Sequence, residues 1–203
     1  MNVILVDSNF NQEQLEIFCQ NSISDTEMKA TVNMDFENWQ EKPHTLLHAV
    51  FIQKRFDHNN RAAYFLLDKE NKYIAGSGCY PLATDPNICI IAVRGYTVKK
   101  HRSRLVQGKH LLPAQVDFAK QQGFKTMILT VNEYNIWFKD GIEKLSNGLS
   151  FLGTKVPKVY EGWKSFEFPV TIQYTKQWCL YKNIDETYYN NFYNSMKLIK
   201  AED

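Results

Sequence analysis

The sequence predicts an α/β fold in which a mixed, twisted central sheet of about seven strands is flanked by helices. Two observations carry this prediction. Short β-branched and apolar runs, which are typical of strands, alternate with amphipathic stretches along the 203 residues. In the middle of the chain, the order of strand (90–98), basic turn, helix and strand (126–131) is that of a right-handed crossover unit. We expect residues 1–203 to form a single domain, because this length is ordinary for one.

The N-terminal part of the chain predicts one strand followed by helices. The predicted elements are a strand at 2–7 and helices at 12–21, 24–39 and 45–54. Ser8 or Asn9 can cap the first helix, in which Leu15, Phe18 and Cys19 fall on one face. The continuous apolar run in the last helix also suits a strand.

The next segment predicts a β-hairpin. Its strands at 61–67 and 72–80 flank a polar stretch that suits a turn. A loop at 81–86, with a proline at each end, then leads into the fourth strand, which ends at Val98.

The helix after the basic turn has a clear end and an uncertain beginning. Paired leucines, Leu111 and Leu112, open its apolar pattern, and Gly123 suits its C-cap. Pro113 deletes the backbone hydrogen bond to Lys109. We therefore expect this helix either to begin late, near His110, or to kink.

The C-terminal part continues the alternation of helices and strands. The predicted elements are a helix at 136–146, a sixth strand at 149–156, a loop at 158–165, a long strand at 166–182 and a terminal helix at 185–200. Pro169 is a point at which the long strand can break.

Composition narrows the class of protein. The hydrophobic fraction of 44% and the aromatic fraction of 14% indicate a globular chain, and a net charge of +2 does not by itself indicate nucleic-acid binding. The four cysteines form no C-x-x-C pair and are interpreted as reduced thiols of a cytoplasmic protein. No apolar run is long enough to span a membrane, and no leader pattern opens the sequence. His44 and His48 are four residues apart but have no third ligand, so no metal site is predicted.

A cluster of cations follows the fourth strand. It comprises Lys99, Lys100, Arg102, Arg104 and Lys109. A charge run is usually a solvated surface. Here it lies where a helix begins, and unpaired backbone N–H groups and the helix dipole favour an anion at that position. The pattern indicates a binding site for a phosphorylated ligand.

Residues 98–112 resemble motif A of the GNAT acyltransferase superfamily, which consists of a strand ending in Val, the pattern R-G-x-G-x-G and two leucines. Residues 103–108 align with the glycine-rich loop without a gap. The following strand and Asn135 are similar to the family pattern L-x-V-x-x-x-N, and the hairpin resembles the family's second and third strands. The loop departs from the pattern, since Val106 replaces a glycine and only Gly108 is kept. Without glycine at 106 the loop loses easy access to positive φ.

The resemblance implies splayed fourth and fifth strands and acetyl-CoA as the cofactor. It implies that backbone amides of about 105–109 hold the pyrophosphate, that the strand end pairs with the pantetheine arm, and that a cation meets the ribose phosphate. Asn135 would contact the pantetheine arm, and it can also cap the helix that follows. The predicted cofactor residues are Tyr96, Thr97, Val98, Arg102, Arg104, Leu105, Val106, Gln107, Gly108, Lys109, Asn135 and Phe138.

Catalytic residues are harder to assign, because the central strand has no carboxylate from 89 to 98. Acyl transfer to an amine requires a base and an acid. Glu133 is the predicted base, with Asp85 as the alternative, while His101 is as suited to lie beside a phosphate as to act as a base. The family often places its acid, a Tyr, where this chain has Ile142.

The predicted acid is therefore Tyr134 or Tyr96, with Tyr160 as a further alternative. A strand N–H near Tyr96 or Val98 is expected to stabilise the oxyanion. Arg94 is expected to meet either an internal carboxylate or an acidic or phosphorylated acceptor, and Tyr80 is grouped with it on the acceptor side.

Three functions fit these patterns. The first is an acetyl-CoA-dependent N-acetyltransferase acting on the amine of a small molecule or peptide, as a monomer or homodimer. The second is a protein of the same fold that binds CoA, or nothing, and serves as a scaffold. The third is a nucleic-acid-modifying enzyme of this fold, which rests on the basic turn and the Tyr- and Trp-rich C-terminal third.

Overall fold

The computed structural model describes residues 1–6, 11–24, 61–82, 85–104, 106–132, 162–167 and 177–188. Seven described strands form one sheet in the order β1-β2-β3-β4-β5-β7-β6. They are β1 (Asn2–Leu5), β2 (Ala63–Lys69), β3 (Lys72–Leu82), β4 (Asp85–Thr97), β5 (Thr126–Asn132), β6 (Lys164–Glu167) and β7 (Gln177–Asn183). The described α-helices are α1 (Gln12–Ser24) and α2 (Leu112–Gln121). Because β4 pairs with β5 in parallel while the other described pairings are antiparallel, the predicted mixed sheet is confirmed.

The chain forms two compact units, of which the first comprises Met1–Pro81 and Ile91–Asp117. In this unit α1 buries the predicted face, since Leu15, Phe18 and Cys19 are at most 1% exposed. Its cap is Asn11, whose side-chain oxygen accepts a hydrogen bond from the Gln14 amide at 3.0 Å. The predicted caps, at 8 and 9, lie outside the described residues.

The predicted hairpin is confirmed as β2 and β3 of this first unit. Its two-residue loop consists of Glu70 and Asn71, with φ of 56° and 61°. Positive φ at both positions is the signature of a type I′ turn, whose twist matches that of the flanking strands.

The second unit comprises Leu82–Ile90 and Phe118–Asp203. Its parallel pairs between β4 and β5 are Ile88–Thr126, Cys89–Met127 and Ile90–Ile128. The end of α2 is a Schellman motif, in which the Phe124 amide donates to Ala119 and the Gly123 amide to Lys120. Gly123 has φ of 71°, so the predicted glycine C-cap is confirmed.

Two predicted boundaries are wrong. The loop predicted at 81–86 is mostly strand, because β3 continues to Leu82 and β4 begins at Asp85. Prolines are tolerated at strand ends, where a missing N–H is not needed by the ladder. The strand predicted at 166–182 begins earlier, at Lys164, and it is interrupted, in keeping with the break expected at Pro169: β6 and β7 are separate strands that pair antiparallel.

Several predicted elements lie outside the described residues. They are the helices at 24–39, 45–54 and 136–146, the strand at 149–156, the loop at 158–165 up to residue 161, and the terminal helix beyond 188. His44 and His48 lie outside as well. The single-domain assignment stays a prediction. Within the described residues, no helix is both long and apolar enough to cross a bilayer.

Candidate functional site

The basic turn is helical throughout its described part. A 3₁₀ segment, Lys99–Arg104, follows β4 directly, and the His101 amide donates to the Val98 carbonyl at 2.8 Å. A second helical segment begins at Val106, which has φ of −57° and ψ of −43°. A β-branched residue adopts this right-handed conformation without strain. The glycine-rich loop expected from the resemblance is therefore replaced by two helical segments, and no positive φ is required at Val106.

The helical segment contains a π-turn before it becomes regular. The Leu112 amide donates to the carbonyl of Gln107, five residues back, and Gln107–Leu111 has π geometry. Pro113 is the second residue of the α-helical part, and proline is tolerated in the first turn of an α-helix. The regular α-helix thus begins at Leu112, close to the late start expected near His110, and the segment before it is a wide π-turn.

The side chain of Gln107 connects this turn to β3 and β4 by hydrogen bonds. Its side-chain Nε2, which has two protons, donates to the carbonyl oxygens of Tyr96 and Gly76 at 2.8 and 3.1 Å, and Oγ1 of Thr97, also at 3.1 Å, shares one of these protons. Its Oε1 accepts a hydrogen bond from Ser77 Oγ at 3.1 Å. A polar side chain with all its groups bonded fixes the turn against β3 and β4.

A second glutamine extends this arrangement into the core of the first unit. Gln115 donates through Nε2 to Ser77 Oγ, and its Oε1 accepts from the Ala92 amide at 3.0 Å. Gln115 and Ser77 are both 1% exposed. The sequence analysis missed these two residues, because glutamine and serine usually lie at the surface and no local pattern marks a buried one.

Among the cations of the turn, Arg102 contacts both the backbone of β4 and an aromatic ring. Its Nε donates to the Thr97 carbonyl at 3.0 Å, and its guanidinium carbon lies 5.6 Å from the centre of the Tyr96 ring. The side chain is half-buried, whereas Lys99, Lys100 and Lys109 are exposed. Burial, followed by nearby positive charge that includes Lys109, lowers the pKa of His110. A neutral His110 leaves the positive charge to the lysines and arginines.

Tyr96 is a structural anchor in this conformation. It is 4% exposed, its hydroxyl donates to the Asn21 carbonyl at 3.1 Å, and its ring lies 5.3 Å from that of Phe18. These contacts tie β4 to the end of α1. The role of Tyr96 as catalytic acid stays a prediction, and it would require the hydroxyl to leave the Asn21 carbonyl.

Val98 has no main-chain N–H to offer a ligand. Its amide donates to the Ile74 carbonyl at 2.9 Å, and its carbonyl accepts from His101. The roles predicted for its amide, pairing with pantetheine and stabilising an oxyanion, would therefore require this pairing to open.

The alternative base Asp85 has both carboxylate oxygens engaged within the second unit. Oδ1 accepts from the backbone and side-chain nitrogens of Asn87 at 3.0 and 3.2 Å, and Oδ2 accepts from the Tyr188 hydroxyl. Burial, followed by this contact with Asp85, raises the pKa of Tyr188. These contacts indicate an anchoring role for Asp85.

Most of the remaining predicted site residues lie outside the described part of the chain. Glu133, Tyr134, Asn135, Phe138, Ile142, Tyr160 and Leu105 lie outside the described residues, as do the side chains of Arg94 and Arg104. Tyr80 is half-buried and packs against the core of the first unit. His101 is 8% exposed. The structure therefore brings together Tyr96, Thr97, Arg102 and Gln107 around the start of the helical turn.

Comparison with solved structures identifies the fold. An acetyltransferase of the GNAT family from Staphylococcus aureus Mu50 superposes with a TM-score of 0.56 and 16% identity, covering 91% of this chain and 99% of that one. PaiA N-acetyltransferase from Thermoplasma acidophilum, solved in complex with coenzyme A, gives 0.53 and 15%, covering 90% and 99%. The protein yncA from Salmonella typhimurium, solved with its cofactor acetyl-CoA, gives 0.63 and 11%, covering 92% and 95%.

No protein-family model and no curated protein matches the sequence. The structural matches, at 11–16% identity, establish the fold. The predicted resemblance to the GNAT superfamily is confirmed at the level of the fold, and the matched proteins from Staphylococcus aureus and Thermoplasma acidophilum are named as acetyltransferases.

Proposed function

We propose that this GNAT-fold protein is an acetyl-CoA-dependent N-acetyltransferase whose acceptor is an amine of a small molecule or peptide. The observation that carries the proposal is the cationic helical turn at the end of β4, in the sequence position of motif A. Two proteins of the same fold were solved with coenzyme A or acetyl-CoA, which supports this choice of cofactor.

The residues at the turn suit a diphosphate. Val106 precedes the π-turn without a side-chain cap, and backbone amides at a helix start lack intrahelical acceptors. Arg102 already has its guanidinium oriented by Thr97 and Tyr96, while Lys109 stays exposed. We assign the amides of residues 105–109 to the pyrophosphate and Arg102, Arg104 or Lys109 to the ribose phosphate.

The bound cofactor would supply an acetyl thioester, and the chain would orient it and move protons. Asn135 and Phe138 are assigned to the pantetheine arm. Glu133 is proposed to take the proton of the acceptor ammonium, and Tyr134 to protonate the departing thiolate. On the acceptor side Arg94, with Tyr80, would favour an amine that also carries an acidic or phosphate group.

A second function has its own support. The positions 89–98 contain no carboxylate, Ile142 stands where the family often has its acid, and the Tyr96 hydroxyl is engaged. A GNAT-fold protein that binds CoA without transferring an acyl group fits these features.

Two measurements separate these functions. Calorimetry with acetyl-CoA tests the cofactor, and the absence of heat at millimolar ligand would contradict both proposals. Release of free thiol across a panel of amines, peptides and nucleosides then tests transfer. We expect release with at least one amine, whereas cofactor binding without release from any acceptor would favour the binding protein.

A further inference from the structure

The first unit contains a chain of hydrogen bonds that we call the carboxamide relay. It runs from the Ala92 amide through Gln115 and Ser77 to the Gln107 carboxamide, and ends on the carbonyl oxygens of Gly76 and Tyr96. Its members come from β3, β4, the π-turn and α2. The relay therefore connects the proposed phosphate turn with two strands and with the helix behind it.

The direction of every bond in the relay is determined by its two ends. The Ala92 amide is only a donor, so Gln115 must present Oε1 to it and Nε2 to Ser77. Ser77 accepts there and has one hydroxyl proton left, which it donates to Gln107 Oε1. Gln107 must then present Nε2 to the carbonyl oxygens, which are only acceptors. No single carboxamide can flip without placing like groups against each other.

The Ala92 end of the relay is an irregular point of β4. Ala92 has φ of 58°, which is unusual for a residue other than glycine, and an added Cβ on Gly95 would lie 3.1 Å from its carbonyl oxygen. A left-handed residue within a strand marks a bulge-like distortion and persists only where its surroundings hold it. Gln115, which is buried, holds the amide of this residue.

We propose that Ser77 and Gln115 are positioning residues that fix the orientation of the Gln107 carboxamide and, through it, the start of the helical turn for the cofactor phosphates. The part concerning phosphates rests on the proposed function. Where motif A has glycines, this chain has the relay, which holds the turn close to β3 and β4 through side-chain bonds.

The direction of the relay gives an ordering of variants that general destabilisation does not produce. Gln115→Glu places a carboxylate, which only accepts, against Ser77, so the hydroxyl proton turns away from Gln107. Gln115→Met removes both bonds of this side chain but leaves Ser77 free to donate to Gln107. We therefore expect Gln107 to be loosened by Ser77→Ala and Gln115→Glu, and less by Gln115→Met.

The experiment measures hydrogen exchange of the Gln107 side-chain NH₂ and of the Leu112 amide in the ligand-free protein, followed by calorimetry with CoA. We expect Ser77→Ala and Gln115→Glu to speed exchange at both groups by about tenfold and to weaken CoA by about tenfold. Thr126→Val is the matched control, since it removes a buried hydroxyl bond to Asn183 in the second unit. It should leave both readouts within about threefold of the wild type.

Each outcome decides one claim. Unchanged exchange in Ser77→Ala, or equal effects of Gln115→Glu and Gln115→Met, overturns the relay. Faster exchange with unchanged CoA affinity overturns its role in positioning the cofactor turn. A wild-type protein that gives no heat with CoA refutes the proposed function, while exchange in the ligand-free protein still tests whether Ser77 and Gln115 order the turn. If Ser77→Ala fails to fold, the two Gln115 variants make the same test.

Discussion

Replacement of Arg102 is the most direct test of the proposed phosphate site. The guanidinium is held by a 3.0 Å bond to the Thr97 carbonyl and lies 5.6 Å from the centre of the Tyr96 ring, so its approach to a ligand is already ordered. A charge-assisted hydrogen bond contributes about 1.5–3 kcal/mol. Because Arg102 is only half-buried, we take the lower end, and Arg102→Gln should weaken CoA about tenfold. Lys100→Gln, the same charge change at an exposed residue of the same turn, should cost less than about threefold.

The assay is calorimetry with CoA and with 3′-dephospho-CoA, which lacks the ribose phosphate. If Arg102 binds that phosphate, Arg102→Gln weakens CoA but changes the affinity for dephospho-CoA by less than about twofold. The variant also loses its contacts to Thr97 and Tyr96, so urea denaturation must show that it is still folded at the assay temperature; we expect a loss of about 1–2 kcal/mol. Equal weakening of both ligands, or no weakening, would refute the assignment of Arg102 to the ribose phosphate.

Three further predictions concern stability and reactivity. Gly76→Ala should lower the free energy of unfolding by about 1–3 kcal/mol in urea denaturation, because the new Cβ would lie 2.9 Å from a ring carbon of the buried Tyr64; a change below about 0.5 kcal/mol would contradict this packing. Burial raises the pKa of Cys19 and Cys179 from 9.0 to about 12, so both thiols should resist Ellman's reagent at pH 8 until the protein is unfolded. Because folding raises the pKa of both thiols, their ionisation does not lower the free energy of unfolding below about pH 9. As the pH rises from there towards 12, the free energy of unfolding should fall, so denaturation should give a smaller value at pH 10.5 than at pH 8. Gln107→Glu would place a carboxylate against the Gly76 carbonyl, so its loss of stability should be larger at pH 7 than at pH 4, where a protonated carboxyl can donate; equal losses at both pH values would argue against this contact.

Local patterns were sufficient for several elements of the fold. The polar stretch after β2 predicted a hairpin, and Glu70 and Asn71 adopt the two left-handed conformations that a two-residue loop requires. Gly123 predicted the end of α2, and its φ of 71° is the left-handed conformation that glycine adopts at a helix C-cap. These features depend on a few neighbouring residues, so the local sequence is enough to predict them.

Other features depend on partners that are distant in sequence. From its neighbours Ala114 and Val116 alone, Gln115 resembles a solvent-facing residue. It is in fact buried, and its hydrogen-bond partner Ser77 is 38 residues away in the sequence. Ser77 and Gln107 are 30 residues apart. Only the pairing of strands and helix brings these groups together, and hydrophobic periodicity does not report on it.

The boundary errors have the same origin. Prolines at 81 and 86 argued locally for a loop, but the sheet accepts them at strand ends where the ladder does not need their N–H groups. In the turn, the missing glycine at Val106 argued for a loop without easy access to positive φ. The chain instead forms a right-handed helical segment there, which a β-branched residue enters without strain.

The helical turn changes where the selectivity of a phosphate site can come from. A glycine-rich loop lets backbone amides approach a ligand closely because no Cβ intervenes. Here Val106 is 3% exposed and Gln107 bonds inward, so the side chains next to the helix start face the protein rather than a ligand. In the proposed site, recognition of a nucleotide would then depend more on cations that are oriented by the strand end, of which Arg102 is the described example. Side-chain cations can be replaced one at a time without rebuilding the backbone, and so the proposed phosphate site can be tested residue by residue.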